Sequence, residues 1–255
     1  RTPAHPNRNR TMALCCICER PVDRWLAHPQ QAERSPFMAL METVGSDLAI
    51  FSCPHCGCTD RDRHLWLYMT AADLPRQLAG ASVLHLAPER PLEPLIERCQ
   101  PARYVRGDLS PTRPHHQRLN AESLPFEAES FDLIIANHLL EHVDRPEQAL
   151  AEFSRCLKPG GVLIAQTPYA PHLKHTFELN ARPHESFAKL YFGQVDHVRL
   201  FGSDISAYFH AAGLQGALLP HEQVLQDMDA LEFGCNAREP FFAFSKPAEA
   251  LAEAA

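Results

Sequence analysis

From residue 82 onward the chain alternates short apolar runs with longer helix-like segments. The runs are "SVLHLA" (82–87), "RYVRGD" (103–108), "FDLIIAN" (131–137), "GVLIAQTP" (161–168), "GALLP" (216–220) and "FFAFS" (241–245). Runs of this length bounded by turn residues read as strands, and their alternation with helices predicts an α/β domain built on a mostly parallel sheet covered on both faces. Such sheets take ligands beyond the carboxyl ends of their strands, beside the first strand. Earlier in the chain, Leu48 to Phe51 reads as a short strand, 31–45 as helix or loop, and "TDRDRHLWLYMTAADL" as a helix. Thr59 or Asp60 would cap that helix, with Leu65, Met69 and Ala72 on one face.

Composition narrows the class. In 255 residues, 45% hydrophobic and 22% charged, no run of eighteen apolar residues occurs, so no membrane span is expected. The opening "RTPAHPNRNRT" has no apolar core of a secretory signal, so 1–11 reads as a flexible leader and the protein as cytoplasmic, with reduced thiols. A net charge of −7 argues against a polyanionic partner.

The nine cysteines are unevenly placed. Six fall in the first quarter, which predicts a separate cysteine-rich lobe over 12–64, the main domain following over 65–255. Cys15 and Cys18 form one C-x2-C pair; Cys53 and Cys56, in "CPHCGC", form a second after 34 intervening residues. Four thiolates in two knuckles suit tetrahedral Zn²⁺, which stabilises a segment too small to bury its own core. A redox pair would instead need a single C-x-x-C opening a helix, and free buried cysteines are the third reading. Cys16 and Cys58 stand by as alternative ligands, and His55 as a weaker one.

Asp108 ends the second run 23 residues beyond His85, the interval at which dinucleotide-type sites place a carboxylate for ribose hydroxyls. The same residue could simply cap the turn that follows. Context comes from residues 120–168, where "NAESLPF", "SFDLIIANHLLEHV" and "LKPGGVLI" occur in order. This stretch resembles class I S-adenosylmethionine-dependent methyltransferases of the group that includes the ubiquinone/menaquinone-type enzymes. The cysteine head followed by "RDRH", "VLHLAPE" and "DHVRLFG" is similar to a subgroup in which a zinc knuckle precedes that domain.

The resemblance implies a Rossmann-like, doubly wound, seven-stranded sheet and S-adenosylmethionine as cofactor. It puts Asn120 and Ala121 at the adenine, with Glu122 beside them or turned to solvent, and Asp108 and Leu109 at the ribose end. Asn137 and His138 end the fourth strand where donor and acceptor meet, with Glu141 and His142 bracing the site one turn on. Lys158 to Gly161 would stop a helix and turn into the fifth strand.

One departure stands out. The family carries an acidic-x-Gly-x-Gly loop after its first strand; here His85, Ala87 and Glu89 occupy those three positions, and no glycine lies between Gly80 and Gly107. Pro88 has no N–H to offer. Either His85 and Glu89 grip the amino acid end of the cofactor in place of backbone contacts, or the pocket takes another ligand.

Methyl transfer from a sulfonium needs alignment and exclusion of water, and a base only where the acceptor is protonated. His138, Tyr169, Asp196 and His197 are the candidate bases. Residues 168–202 read as a substrate lid, and its His172, His175, Glu178, His184 and His197 as a conceivable second metal set. The leading expectation is methylation of a small molecule at O, N, S or C. An RNA base methyltransferase is the alternative, weakened because residues 12–63 hold five Arg against seven Asp and Glu. A third reading is a binding protein that has kept the fold without the chemistry.

Overall fold

The computed structural model describes residues 13–31 and 35–248. The leader at 1–11 and Met12 therefore lie outside the described residues. In chain order the elements are β1 (Ala13–Leu14), β2 (Pro21–Val22), α1 (Pro36–Leu40), α2 (Asp60–Ala71), α3 (Leu74–Gln77), β3 (Ser82–Leu86), α4 (Glu93–Arg98) and β4 (Arg103–Asp108). Then follow β5 (Gln117–Arg118), β6 (Phe131–Ile135), α5 (Pro146–Cys156), β7 (Leu157–Ile164), β8 (Phe177–Glu178), α6 (Glu185–Tyr191) and β9 (Arg199–Leu200). The chain closes with α7 (Ile205–Ala211), β10 (Gln215–Leu219), α8 (His221–Val224) and β11 (Phe241–Ser245).

Seven strands form one sheet in the order β10-β11-β7-β6-β3-β4-β5. Pairing is parallel from β5 to β7, and β11 runs antiparallel to both β7 and β10. The doubly wound, mostly parallel sheet expected from the sequence is present. Strand β6 is buried at every position except Asp132, as a strand covered on both faces must be. Helix α5 buries Ala149, Leu150, Phe153 and Cys156 on one side, against the sheet core of Leu84, Ile134 and Leu163.

Three local expectations change. Leu48 to Phe51 is a turn rather than a strand: Asp47 Oδ1 accepts from Ala49 N at 2.9 Å, closing the backbone on itself. Lys158 to Gly161 lies inside β7, because Leu157 already pairs with Phe131; the register slips before Leu133, and Gly160 takes up the bulge with φ 77°. Ala72 falls beyond the end of α2 and is exposed, while Leu65 and Met69 are buried as expected.

Helix α2 explains how head and sheet become continuous. Thr59 caps it, with Asp62 returning a bond to the cap N–H, so this short helix begins at a fixed point. It then buries Arg63, His64, Leu65, Leu67, Tyr68 and Met69 in a core that also holds Cys15, Trp25 and Cys53 of the head and Val83, Leu133 and Ile135 of the sheet. Arg63 is fully buried and reaches four backbone carbonyls: Cys58 at 2.8 Å, Ile50 at 2.7 Å, Phe233 at 3.1 Å and Gly234 at 2.6 Å. Its guanidinium lies 3.9 Å over the Trp25 ring. The residues after β7 return over the head: β8 and β9 pair antiparallel, and α6 packs against α1 through Met38, Ala188 and Phe192.

Arg63→Ala removes the donor to Ile50 and Gly234 and one of the donors to Cys58 and Phe233 inside the core. It should lower unfolding free energy by about 3 kcal/mol or more, read as a fall in the urea midpoint; an unchanged midpoint would show that head and sheet are held together by other contacts.

Candidate active site

The carboxyl ends of the central strands are tied by a continuous polar rail. His85, the fourth residue of β3, is fully buried; its Nδ1 faces the Tyr104 hydroxyl of β4 at 2.9 Å, and its Nε2 faces Glu89 Oε2 at 2.6 Å. Asn137, just past β6, donates from Nδ2 to Glu89 Oε1 at 3.0 Å and accepts from Gln166 N at 2.9 Å. Gln166 in turn donates to Pro240 O at 3.0 Å and accepts from Phe242 N at 2.8 Å. The rail therefore runs from β4 through β3, β6 and β7 to β11. Burial pushes the Glu89 carboxyl up, but the hydrogen bond and charge of His85 and the bond from Asn137 outweigh it and hold it below the usual carboxylate range.

Glu89 reaches this position because the chain turns sharply at Ala87, which adopts φ 47° and donates from its N–H to Gly107 O at 2.8 Å. An alanine thus holds the left-handed backbone that glycine holds more easily, a strain of roughly 1 kcal/mol. The loop without glycine is a closed turn braced by its own side chains.

Two cavities border this loop, and a third lies nearby. One, of about 430 Å³, is lined by Ala87, Asp108, Leu109, Asn120, Ala121, Glu122, His138, His142 and Asp196. It brings together most of the residues expected to hold an adenosyl group. A larger cleft of about 820 Å³ shares Ala87 and His138 with it and continues past Glu89 and Asn137 to Arg61, Arg90 and the head residues Cys18, Cys56 and Gly57. A third cavity of about 420 Å³ lies between head and lid, where Met38, Phe51, Phe192 and His197 meet Arg61. Arg61 is thus shared by the second and third cavities and, among the described residues, has no hydrogen-bond or ion-pair partner.

The individual residues divide by what their polar atoms already do. Asp108 Oδ1 accepts from Ser110 N at 2.8 Å, capping the turn, and leaves its second oxygen without a protein partner. Asn120 Oδ1 accepts from Glu122 N at 3.0 Å. Glu122 is held by Arg145, through its backbone N–H at 2.9 Å and its Nε at 3.2 Å, so its carboxylate fixes the start of α5. Asn137 has both amide ends engaged in the rail. Pro88 is buried beside the loop but lines none of the three cavities.

Among the candidate bases, His138 faces the first two cavities from a backbone with φ 49°. Burial, with the charges of Arg61, His197 and His142, pushes it well below the usual histidine range, so it is neutral at pH 7. His197 is pushed down to about 4 by burial, followed by His142. Its Nδ1 donates to Phe192 O at 2.7 Å, which leaves Nε2 as a bare acceptor. Tyr169 is not brought to the cleft. Its backbone stitches Val44 to Phe201, and its ring packs edge-on to Phe242 at 6.2 Å, away from all three cavities. Asp196 sits 3.3 Å from His142 Nδ1.

Arg199, which sequence reading passed over, anchors the lid. It is buried, pairs with Glu178 at 2.9 Å, and donates to the carbonyls of Leu140, Val143 and Asp144 just after β6. Its place in "DHVRLFG" was the available signal. The lid histidines scatter to separate partners: His172 to Glu42, His175 to Asp204, and His184 to the start of α6.

In the head, one sulfur each from Cys15, Cys53, Cys56 and Cys58 lie within 4.8 Å of one another. Cys18 falls outside that set, though its sulfur is 3.9 Å from Cys53. Cys58 hydrogen-bonds Cys15 at 3.5 Å and, against burial, holds its thiol down to about 4. The His55 N–H points at Cys53 sulfur at 3.4 Å, as backbone donors do around a thiolate. A soft tetrahedral cation fits this donor set.

Residues 90–165 match the family described as "Methyltransferase domain". This match covers β4 to β7, and with the seven-stranded, mostly parallel sheet and its antiparallel β11 it makes the chain similar to methyltransferases of Rossmann-like fold. Among curated proteins, a ubiquinone/menaquinone biosynthesis C-methyltransferase from Vibrio vulnificus is 42% identical over 50 residues, 20% of this chain and 19% of its own. A mitochondrial 2-methoxy-6-polyprenyl-1,4-benzoquinol methylase from Caenorhabditis elegans is 31% identical over 71 residues, 28% and 25% of the two chains. The chain thus spans about a fifth to a quarter of the length of the curated relatives it matches. A solved S-adenosylmethionine-dependent methyltransferase from Mesorhizobium loti superposes with a TM-score of 0.46 at 15% identity, covering 69% of this chain and 95% of that one.

The depressed carboxyl of Glu89 gives a signed pH dependence. A group whose folded pKa lies below its unfolded value contributes stability above the ordinary carboxylate range and loses it as pH falls through the folded pKa. Glu89→Gln should therefore cost about 1–3 kcal/mol near neutrality, with the gap to wild type closing in acid. A gap independent of pH would place the carboxyl outside the rail.

Proposed function

We propose that this protein is an S-adenosylmethionine-dependent methyltransferase that acts on a small-molecule acceptor. The observation that carries the reading is the meeting of two cavities at Ala87 and His138. One is of nucleoside size with a free Asp108 oxygen; the other runs past Glu89 to an unpaired arginine. Asp108 would take the ribose hydroxyls, Asn120 and Ala121 the adenine edge, and Leu109, 60% exposed at the cavity, a ring face. Arg61 or Arg90 suits the carboxylate of an amino acid end, and Glu89 its ammonium.

When bound, S-adenosylmethionine supplies a methyl group on a sulfonium that already carries its leaving group. The protein's part is then to hold, align and dry the site. His138 is neutral and can receive a proton from an acceptor hydroxyl or amine. The cavity between head and lid, about 420 Å³ and lined by Met38, Phe51 and Phe192, is of a size that supports a small acceptor. The acidic balance of residues 12–63 disfavours an RNA base as substrate. The loop without glycine favours, as second reading, a protein that binds the nucleoside without turning it over.

We read the chain as two cooperating units, a head over 12–64 and a transferase domain over 65–255 with its lid near 168–202. The head is proposed to hold a structural Zn²⁺ through Cys15, Cys53 and Cys56, with Cys18 or Cys58 as the fourth thiolate. Its contribution would be to keep Cys56 and Gly57 in place as one wall of the donor cleft.

Calorimetry with S-adenosylhomocysteine tests the reading. Binding is expected in wild type, and Asp108→Ala should weaken it by about tenfold or more, the worth of a charge-assisted hydrogen bond. No heat with millimolar ligand would overturn the donor site, and binding without methyl transfer to any acceptor pool would favour the second reading.

A further inference from the structure

The lid and the loop after β6 bury a second donor set, separate from the cysteines and sharing only His197 with the lid residues expected to act together. A carboxylate oxygen of Glu141, a ring nitrogen of His142 and one of His197 all lie within 4.8 Å of one another. We propose that Glu141, His142 and His197 bind a divalent transition-metal cation at the wall between the 430 Å³ cavity, which His142 lines, and the cavity under the lid, which His197 lines.

Two independent features point to a ligand there. The first is orphaned polarity. Glu141 is 2% exposed and His197 4%, yet Glu141 Oε2 and His197 Nε2 have no hydrogen-bond partner, nor does the buried Nδ1 of His138. Buried polar atoms are rarely left so, and three in one place call for a shared partner. The second is the way both rings are held. His197 Nδ1 donates to Phe192 O, and His142 Nδ1 faces Asp196 Oδ2 at 3.3 Å. A carbonyl or carboxylate on one ring nitrogen fixes the tautomer and directs the other nitrogen's lone pair, the arrangement found behind metal-ligating histidines.

Geometry agrees. Ligand atoms each about 2.0–2.2 Å from one ion stand about 3–4 Å apart, so the present spread closes by side-chain rotation. Two histidines and a carboxylate on one side of an ion, with open positions opposite, suit zinc or a divalent first-row metal such as iron or cobalt, and are poor for calcium or magnesium. His138, whose Nδ1 is 3.7 Å from Glu141 Oε1, stands at the open side. Of the neighbouring arginines, Arg199 is committed to Glu178 and the carbonyls of Leu140, Val143 and Asp144, while Arg61 acts on Glu141 through its charge without a hydrogen bond to it.

Placed there, the cation would face an oxygen or nitrogen of the acceptor and lower its pKa, so that the acceptor class becomes a metal-ligating hydroxyl or phenol. That role rests on the transferase reading; metal binding itself does not, and its test needs neither donor nor acceptor.

The full-length protein is dialysed against excess Co²⁺, and bound metal is measured together with the visible spectrum. Wild type should show cobalt d–d absorption without thiolate charge transfer, beyond any signal from the cysteines. Glu141→Gln and the half-exposed His142→Ala should each carry one cobalt fewer per chain, with unchanged circular dichroism. Wild type lacking a thiolate-free band would overturn the proposal whatever the variants do. So would folded variants that bind as much metal as wild type, in which case ordered water satisfies the orphaned atoms.

Discussion

The carboxyl ends of the central strands depend on one carboxylate. Glu89 stands in a loop without glycine, and it is accommodated because His85 and Asn137 converge on its two oxygens from adjacent strands. A buried carboxylate with two donors is stable; the same group with either donor missing is not, since the unpaired charge would carry its full desolvation cost. The loop, the ends of β3 and β6, and through Gln166 the start of β11 are therefore one cooperative unit. Rigidity that comes elsewhere from close backbone packing comes here from side-chain hydrogen bonds, and Ala87 bears the residual strain.

Around that unit, two arginines hold the covering layers. Arg63 fastens the cysteine-rich head and the 226–240 loop to the sheet, and Arg199 fastens the lid to the residues after β6. Both act mainly on carbonyl oxygens, which only a multi-donor cation can gather from several loops at once. The cavities persist between these layers because the contacts lie at their edges, leaving Arg61 and His138 facing open space.

Much of this was legible in the sequence for identifiable reasons. The strands β3, β6 and β7 are continuous apolar runs, which only a doubly covered sheet explains, and the cysteine pairs carry their spacing openly. Asp108, Asn120 and Ala121 meet at one cavity because each follows a strand end or lies in the loop beside it, as chain order alone indicates. What escaped was set by tertiary contacts. Glu122 looked available until Arg145 was found on it, Tyr169 looked like a base until its backbone proved to stitch Val44 to Phe201, and the Leu48 to Phe51 run lost its strand to Asp47. The set of Glu141, His142 and His197 could not be assembled in advance, because it joins residues 55 positions apart across the lid junction.

The knuckle that forms one side of the larger cleft has a consequence for how this protein can be divided. Cys56 and Gly57 belong to the head by sequence and to the lining of that cleft by position. A chain trimmed to begin at residue 65 would keep the sheet but leave a groove with one flank missing, open to water along its length.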